Sequence, residues 1–443
     1  MTIRPIAAAA LAGIVGMAGL AGLVGSAGAD SFDRRGLWLP RGDALAGALK
    51  MRPRRYLDIA SLPAAARRRV ALGAVLFRTP ELLGLEARRI GMSCETCHSG
   101  GHVNAGFFLP GLSSRNGTVD LTSKVFHRPA DDGRFNPIRI PSLRGVARTA
   151  PYGHRGHFAT LAAFARHVIV DEFGGVEPSK PVLRALAVYM AALKPPPNPM
   201  LTRDGRLAEG APEAARRGER LFSAPGSTRG GQACADCHIP AGGFTDGRRH
   251  DVGTGGVIDT PSLLGAGAGP YLHDGRYDLL GRTVGHFTRR FGVGGHARGL
   301  ADLVAYLRVV GAAKNDRERV TLQGDIAAIT EGEAVLDDLL KQRDNALLAL
   351  VVATLRRDIG RVHDRFPDPG HATARAALVA WSRGLQAVRA AAEAGDHARA
   401  RAALASLRAA RAGWLGIVRR AEETSLYDPV RLDGFLAARK KAR

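Results

Sequence analysis

The chain has 443 residues, 45% of them hydrophobic, which is enough for packed cores and argues against a disordered polymer. That length corresponds to about three domains of ordinary size. The formal charge is +22 with 6% aromatics, but the basic residues are scattered rather than clustered between stacking rings. This excludes the usual signature of a nucleic-acid binder and suits an acidic protein partner or an anionic surface.

In chain order, Arg4 precedes an apolar run from Ile6 to Val24, followed by the small-x-small cleavage signal Ala27-Gly28-Ala29. Residues 1–29 read as a secretory signal peptide, with the mature chain starting near Asp30 in the periplasm. No later stretch is long and apolar enough to span a bilayer, so no stable membrane span is expected after removal. Alanine, leucine and valine at helical spacing then predict a helix from Leu57 to Leu76, with Pro63 near its start.

Cys94-Glu95-Thr96-Cys97-His98 comes next, and returns as Cys234-Ala235-Asp236-Cys237-His238. Two cysteines two residues apart with a histidine directly after form the attachment signature for c-type haem. Each thiol adds to one porphyrin vinyl group, the short turn between them sets both sulfurs at one edge, and the histidine falls under the iron. A four-cysteine zinc site would bring the pairs much closer in sequence. The expected cofactors are therefore two covalently bound haem c groups, with iron ligated by His98 and His238. All four cysteines are committed, so no disulfide is expected.

The surroundings of the two motifs also repeat. Arg217-Gly218-Glu219-Arg220-Leu221-Phe222 echoes Leu72-Gly73-Ala74-Val75-Leu76-Phe77. Ile140-Pro141-Ser142-Leu143 leads to Pro151-Tyr152-Gly153-His154, and Thr260-Pro261-Ser262-Leu263 leads to Pro270-Tyr271-Leu272-His273. Seven residues past these histidines stand Leu161 and Leu280, and thirteen past stand His167 and His286. Apolar helices, Val182–Leu193 and Leu300–Val310, close the units. Lys194-Pro195-Pro196-Pro197-Asn198-Pro199 reads as a stiff polyproline linker between them. The predicted domains are residues 30–199 and 200–315, each with one haem, and a helical extension over 316–443. In the extension, helices are expected at about Glu333–Arg357, Ala372–Ala394, Ala398–Ala421 and Pro429–Lys441. Its histidines, His363, His371 and His397, read as surface or cap residues.

The paired haem motifs, the duplicated Pro-Ser-Leu and Pro-Tyr-x-His segments and the secretory signal together resemble the bacterial di-haem cytochrome c peroxidase family, which includes MauG-like enzymes. The resemblance covers about Ala71 to Val310. It implies an all-α fold of two tandem cytochrome c-like domains, with one iron open to hydrogen peroxide and the other relaying electrons from a small cytochrome c or cupredoxin. The family's sixth ligand falls fourteen residues past the Pro-Tyr-x-His histidine, which here gives Val168 and Phe287, and neither binds iron. His167 and His286, one residue earlier, are the nearest substitutes as metal ligands. His154 and His273 are expected near the haems, holding a propionate or a loop, and Arg276 is a candidate propionate partner. His250 is a candidate distal ligand or loop anchor. Met190 reads as core and Met92 as packing against the porphyrin edge. The family's distal glutamate has no counterpart between Cys234 and Lys314, whereas Asp171 and Glu172 follow His167, so the expected catalytic acids are Glu172 and Asp171. Three functions follow: reduction of hydrogen peroxide, MauG-like oxidation of a protein substrate, or electron transfer with no substrate site.

Overall fold

The computed structural model describes residues 45–57, 62–225, 230–267, 269–292, 297–312, 316–367 and 369–441. The signal segment lies outside the described residues. The described chain is mostly helical, with three two-stranded ribbons as its sheet content, so the all-α class holds at that level. Among these residues no helix is long and apolar enough to cross a membrane.

In chain order the elements are α1 (Leu45–Lys50), β1 (Met51–Pro53), α2 (Ala64–Phe77), α3 (Leu85–Arg89), α4 (Cys94–Cys97), β2 (Thr118–Val119), β3 (Ile138–Arg139), α5 (Leu161–His167) and α6 (Lys180–Ala192). Then follow α7 (Glu213–Ser223), α8 (Cys234–Cys237), β4 (Arg249–Asp251), β5 (Val257–Asp259), α9 (Leu280–Phe291) and α10 (Ala297–Val310). After β6 (Arg317–Arg319) the chain is helical: α11 (Leu322–Glu333), α12 (Leu336–Gln342), α13 (Asn345–His363), α14 (Ala372–Glu393), α15 (His397–Arg420) and α16 (Pro429–Lys441).

Each haem-motif unit is clasped by its first and last long helices, α2 on α6 and α7 on α10. A glycine sets each crossing. A Cβ on Gly73 would collide with the Ala185 carbonyl, and one on Gly218 with that of Asp302. One turn on, Phe77 packs on Tyr189 with ring centroids 5.1 Å apart at 54°, and Phe222 on Tyr306 at 5.0 Å and 55°. The glycine removes the side chain that would hold the axes apart, and the aromatic pair fills the space beyond. Burying Phe77 and Phe222 against these tyrosines stabilises each crossing by roughly 1.5–3 kcal/mol per side chain. Leu193 ends α6 in an extended conformation, as expected of a chain about to enter the Lys194-Pro195-Pro196 run.

The helices after residue 316 return to the first unit. β1 pairs antiparallel with β6, and the buried Arg144 guanidinium bonds Asp316 and, at 2.6 Å, the Arg54 carbonyl. α11 and α13 lie against the outer side of α2, where Thr79 meets Thr354 at 2.7 Å and Arg78 meets Asp358 at 3.2 Å. One hydrophobic core therefore runs from Val70 through α6 to Val418 and Tyr427, whereas the second unit keeps a separate core. α14 and α15 form a hairpin around the fully buried Glu333, which accepts from Trp381 Nε1 at 3.1 Å and Arg411 Nη1 at 2.7 Å.

Local expectations are corrected in two places. α2 begins at Ala64, because Pro63 holds the extended conformation of a helix lead-in (φ −57°, ψ 153°). Residues 58–61 of the expected helix lie outside the described residues. The single helix expected over Glu333–Arg357 is three, broken after Glu333 and again at Arg343 (φ 54°), where Asp344 caps α13 by accepting from Leu347 N at 3.0 Å. His371, expected as a surface or cap residue, holds the N-cap position of α14 and is buried there, bonded to the Pro367 carbonyl at 2.8 Å and Thr424 at 3.0 Å.

Candidate functional site

The first motif is a one-turn helix fixed by its own third residue. Ser93 N donates to Thr96 Oγ1 at 3.0 Å, and His98 N closes the turn on the Cys94 carbonyl at 2.9 Å. His98 Nδ1 then lies 3.0 Å from the Pro141 carbonyl. A carbonyl only accepts, so Nδ1 carries the proton and Nε2 keeps its lone pair. Burial holds the imidazole down to about 4, against the Pro141 bond, so the ring is neutral as an iron ligand must be. Burial pushes the Cys94 and Cys97 thiols up to about 12, the opposite of a reactive redox dithiol.

Beyond α5 the chain makes a π-helical turn over Val168–Glu172, a distortion frequent at functional sites. Its extra residue sends the two acids apart. Asp171, about half exposed, accepts from His167 Nδ1 at 2.9 Å and points to solvent. Glu172 turns inward, close enough to Cys97 for its charge to raise that thiol. Its Oε1 is 3.6 Å from His167 Nε2, and its Oε2 is buried with no partner. Burial pushes this carboxyl up to about 7, against the pull of His167. His127, not singled out in the sequence, pins the turn by bonding the Asp171 carbonyl at 2.8 Å. His167 therefore spends its ring on the two acids.

The second motif is built the same way. Ala233 N donates to Asp236 Oδ2 at 2.8 Å, and His238 N to the Cys234 carbonyl at 3.0 Å. His238 Nδ1 donates to the Phe244 carbonyl at 3.1 Å, and Phe244 holds a left-handed backbone (φ 62°) while fully buried. Burial again lowers this imidazole.

The acids differ. Asp246, His250 and Cys237 place their ligand atoms within 4.8 Å of one another, with His250 Nε2 2.7 Å from Asp246 Oδ2. His250 is thus a loop anchor through Asp246. Next to Asp246, burial pushes the Asp259 carboxyl up to about 7, and its Oδ1 has no partner. Sequence reading sought a glutamate here and missed both aspartates; the Asp-x-x-x-His spacing was the available signal.

His286 Nε2 lies 3.1 Å from the Val252 carbonyl and Nδ1 3.4 Å from the Tyr277 hydroxyl, so ligation would sacrifice a contact. Arg276 is tied to Asp274 (2.7 Å) in its own loop and to the Thr254 carbonyl (3.2 Å) in the turn between β4 and β5. Met92 and Met190 are both buried in the first core.

Each Pro-Tyr-x-His turn is gripped by the opposite unit, through the strand that precedes its Pro-Ser-Leu segment. Arg139 N donates to the His273 carbonyl at 2.7 Å, and Asp259 N to the His154 carbonyl at 3.0 Å. His154 Nε2 bonds the Arg139 carbonyl at 2.8 Å, so this histidine holds a loop. Gly156 and Gly275, each two residues past its histidine, let Arg249 and Thr118 of the opposite unit approach closely. Arg148 Nη2 bonds the Ala241 carbonyl at 2.8 Å, and Arg115 bonds Asp278 at 2.9 Å.

No family model matches the chain. Over 115 residues it is 33% identical to hydrazine synthase subunit gamma of Kuenenia stuttgartiensis, a stretch covering 22% of this chain and 30% of that protein. The match thus spans under a third of that relative's length. Among solved structures, Kuenenia stuttgartiensis hydrazine synthase pressurised with xenon aligns at a TM-score of 0.40 and 21% identity, over 57% of this chain and 90% of the other. A MauG-like protein associated with microbial copper homeostasis aligns at 0.40 and 17%, over 61% of this chain and 94% of the other. Both superpositions are loose.

Proposed function

We propose that the chain is a periplasmic di-haem c-type oxidoreductase. In this reading the Cys94–His98 site reduces hydrogen peroxide and the Cys234–His238 site feeds it electrons from a small cytochrome c or cupredoxin. The observation that carries this is Glu172: an inward carboxyl with an unpartnered buried oxygen, set beside Cys97 by a π-helical turn.

The residues fit covalent haem. His98 and His238 each keep an Nε2 lone pair because Nδ1 is spent on a carbonyl, and each motif puts two sulfurs on one helical turn. Buried guanidinium nitrogens without partners, Arg139 Nε and Arg144 Nε, suit propionate carboxylates better than Arg276, which is already paired. Cys237, Asp246 and His250 could instead hold a metal ion, but that would leave Cys234 and the aligned His238 without a role.

When bound, the haem held by His98 and its two cysteines would supply one-electron redox chemistry. The protein's part is to move a proton. A carboxyl poised near 7 can take one from an arriving peroxide oxygen and return it to the departing oxygen at neutral pH. Two electrons and two protons then convert peroxide to two waters. His167 positions the acid through its 3.6 Å approach to Glu172 Oε1, and Asp171 orients the His167 ring.

Oxidation of a protein side chain is the second reading, favoured by Val168 and Phe287 at the family's ligand positions. Spin-counted EPR of the fully oxidised protein tests both against a plain carrier. High-spin ferric iron near half of the haem supports an open site. Two low-spin centres that persist on half-reduction would sink the enzymatic readings. Peroxide turnover in Glu172→Gln should fall about 10²–10⁴-fold with haem content unchanged.

A further inference from the structure

The contact between the units is symmetric in its backbone and asymmetric in its charge. Arg139 and Asp259 occupy the same place in the two units, two residues before Pro141 and Pro261, and their amides make the reciprocal bonds to His273 and His154. Such paired bonds describe a local two-fold relation inside one chain. A two-fold contact made of identical side chains would present the same field to both sites. Here one side carries a guanidinium and the other a carboxylate.

Arg139 belongs to the first site. Its charge is felt by His102 and His154, and its carbonyl is bonded by His154 Nε2 at 2.8 Å. Its Nε is buried without a partner, and the group of opposite polarity facing it is the Tyr271 hydroxyl rather than an acid. Asp259 belongs to the second site. It faces Asp246, Arg249 and His250, and Asp246 in turn acts on Cys237 and His238. Its Oδ1 is likewise buried and unpartnered. Charges in such surroundings act through a lower dielectric than water and are weakly screened.

Adding an electron to an iron site makes that site more negative. A nearby cation stabilises the reduced form and a nearby carboxylate destabilises it. Resting on the di-haem reading above, we infer that Arg139 and Asp259 polarise the pair, so that an electron delivered to the second site comes to rest at the first. No bond is made or broken: the donor protein is oxidised by one electron, the first site is reduced, and the second returns to its starting state. The two side chains act as positioning charges and touch no substrate.

The test is a spectroscopic redox titration of the intact holoprotein at alkaline pH, with each ferric centre followed by its own EPR signal. Arg139→Gln should lower the potential of the first haem and leave the second nearly in place. Asp259→Asn should raise the second. Arg139→Lys, which keeps the charge, should restore the first potential, an outcome that a merely structural role for the guanidinium would not produce. Potentials unmoved in both neutralising variants, or moved in the opposite direction, overturn the inference. If Arg139→Gln fails to mature, Asp259→Asn decides alone. A pyridine haemochrome assay on the unmutated protein comes first. A chain without two covalent haems defeats the di-haem reading and this inference together, whereas two haems with unmoved potentials defeat the inference only.

Discussion

The two haem-motif units share a skeleton and differ in what lies outside it. α2 and α7 are the same helix by register: Gly73 and Gly218 sit at the crossing, Phe77 and Phe222 one turn on. Their outer faces diverge. Val75, at the position held by Arg220 in the second unit, lies under Gly332 of the C-terminal helices. Arg220 is exposed and meets Glu213 at 3.4 Å. The first unit is thus a half-buried layer of a larger body, while the second keeps its own core and a wet surface. α2 is held between α6 and α13, whereas α7 packs on α10 and leaves its other face exposed at Arg220.

Exchanging the two faces is the sharpest way to break this comparison. Val75→Arg should drive a guanidinium into the buried contact beneath Gly332, lowering stability by more than about 4 kcal/mol. The reverse change, Arg220→Val, removes an exposed ion pair and should stay within about 0.5 kcal/mol. Chemical denaturation of both variants checks this. Equal losses would mean that the C-terminal helices are not what separates the units.

The shared skeleton gives a matched pair of smaller effects. Gly73→Ala and Gly218→Ala each drive a methyl into a facing carbonyl and should each destabilise by about 1–3 kcal/mol. Their reach differs, because the first core extends through α11 to α15 and the second does not. Hydrogen exchange should show Gly73→Ala loosening residues as far as Trp381. Gly218→Ala should loosen α7, α9 and α10 and spare the C-terminal hairpin.

Much of this was legible in the residues. The two Cys-x-x-Cys-His turns, the Pro-Tyr-x-His turns and the clasping helices carry short-range signals, and a repeated signal is read twice. Glu172 was also within reach, as an acid following a helix that bears a histidine. That it points inward while Asp171 points outward was not, because a π-helical turn changes the face by one residue and has no composition of its own. The docking of the C-terminal helices was equally hidden. Their apolar stripes announce that something is buried, but amphipathicity does not name the surface that buries it. Arg139 and Asp259 drew no notice because each looks ordinary alone. Only the reciprocal hydrogen bonds make them a pair.

The acids offer a comparison through pH. Glu172 in one unit and Asp259 in the other are both pushed up to about 7 by burial. In the unfolded chain these groups release their protons near 4, so between about pH 4 and 7 the folded state holds more protons than the unfolded state. Their contribution to stability is complete below that window and is lost as pH rises through 7. For Glu172, whose side chain is only 17% exposed, the loss is at most about 4 kcal/mol. Denaturation midpoints across this range should flatten in Glu172→Gln and flatten further with Asp259→Asn added. A steeper slope in either variant would show that the carboxyl is ionised in the fold.

The smallest effect belongs to the arginine that the sequence made most conspicuous. Arg276 follows His273-Asp274-Gly275 and was expected to reach a propionate, yet its Nε and one Nη are spent on Asp274 and the Thr254 carbonyl, in a partly exposed loop. An ion pair of that kind contributes between nothing and about 1 kcal/mol, because solvent screens it and two long side chains must be held in place. Arg276→Ala should therefore shift stability by less than about 1 kcal/mol and leave haem content unchanged, as read by denaturation and by absorbance of the purified protein. Arg139→Gln, made in parallel, should show the larger perturbation despite lying in a stretch with no motif, because its guanidinium is buried and has a nitrogen with no partner. If the order were reversed, with Arg276→Ala losing haem, then the loop carrying Asp274 would open to release the guanidinium when haem is attached.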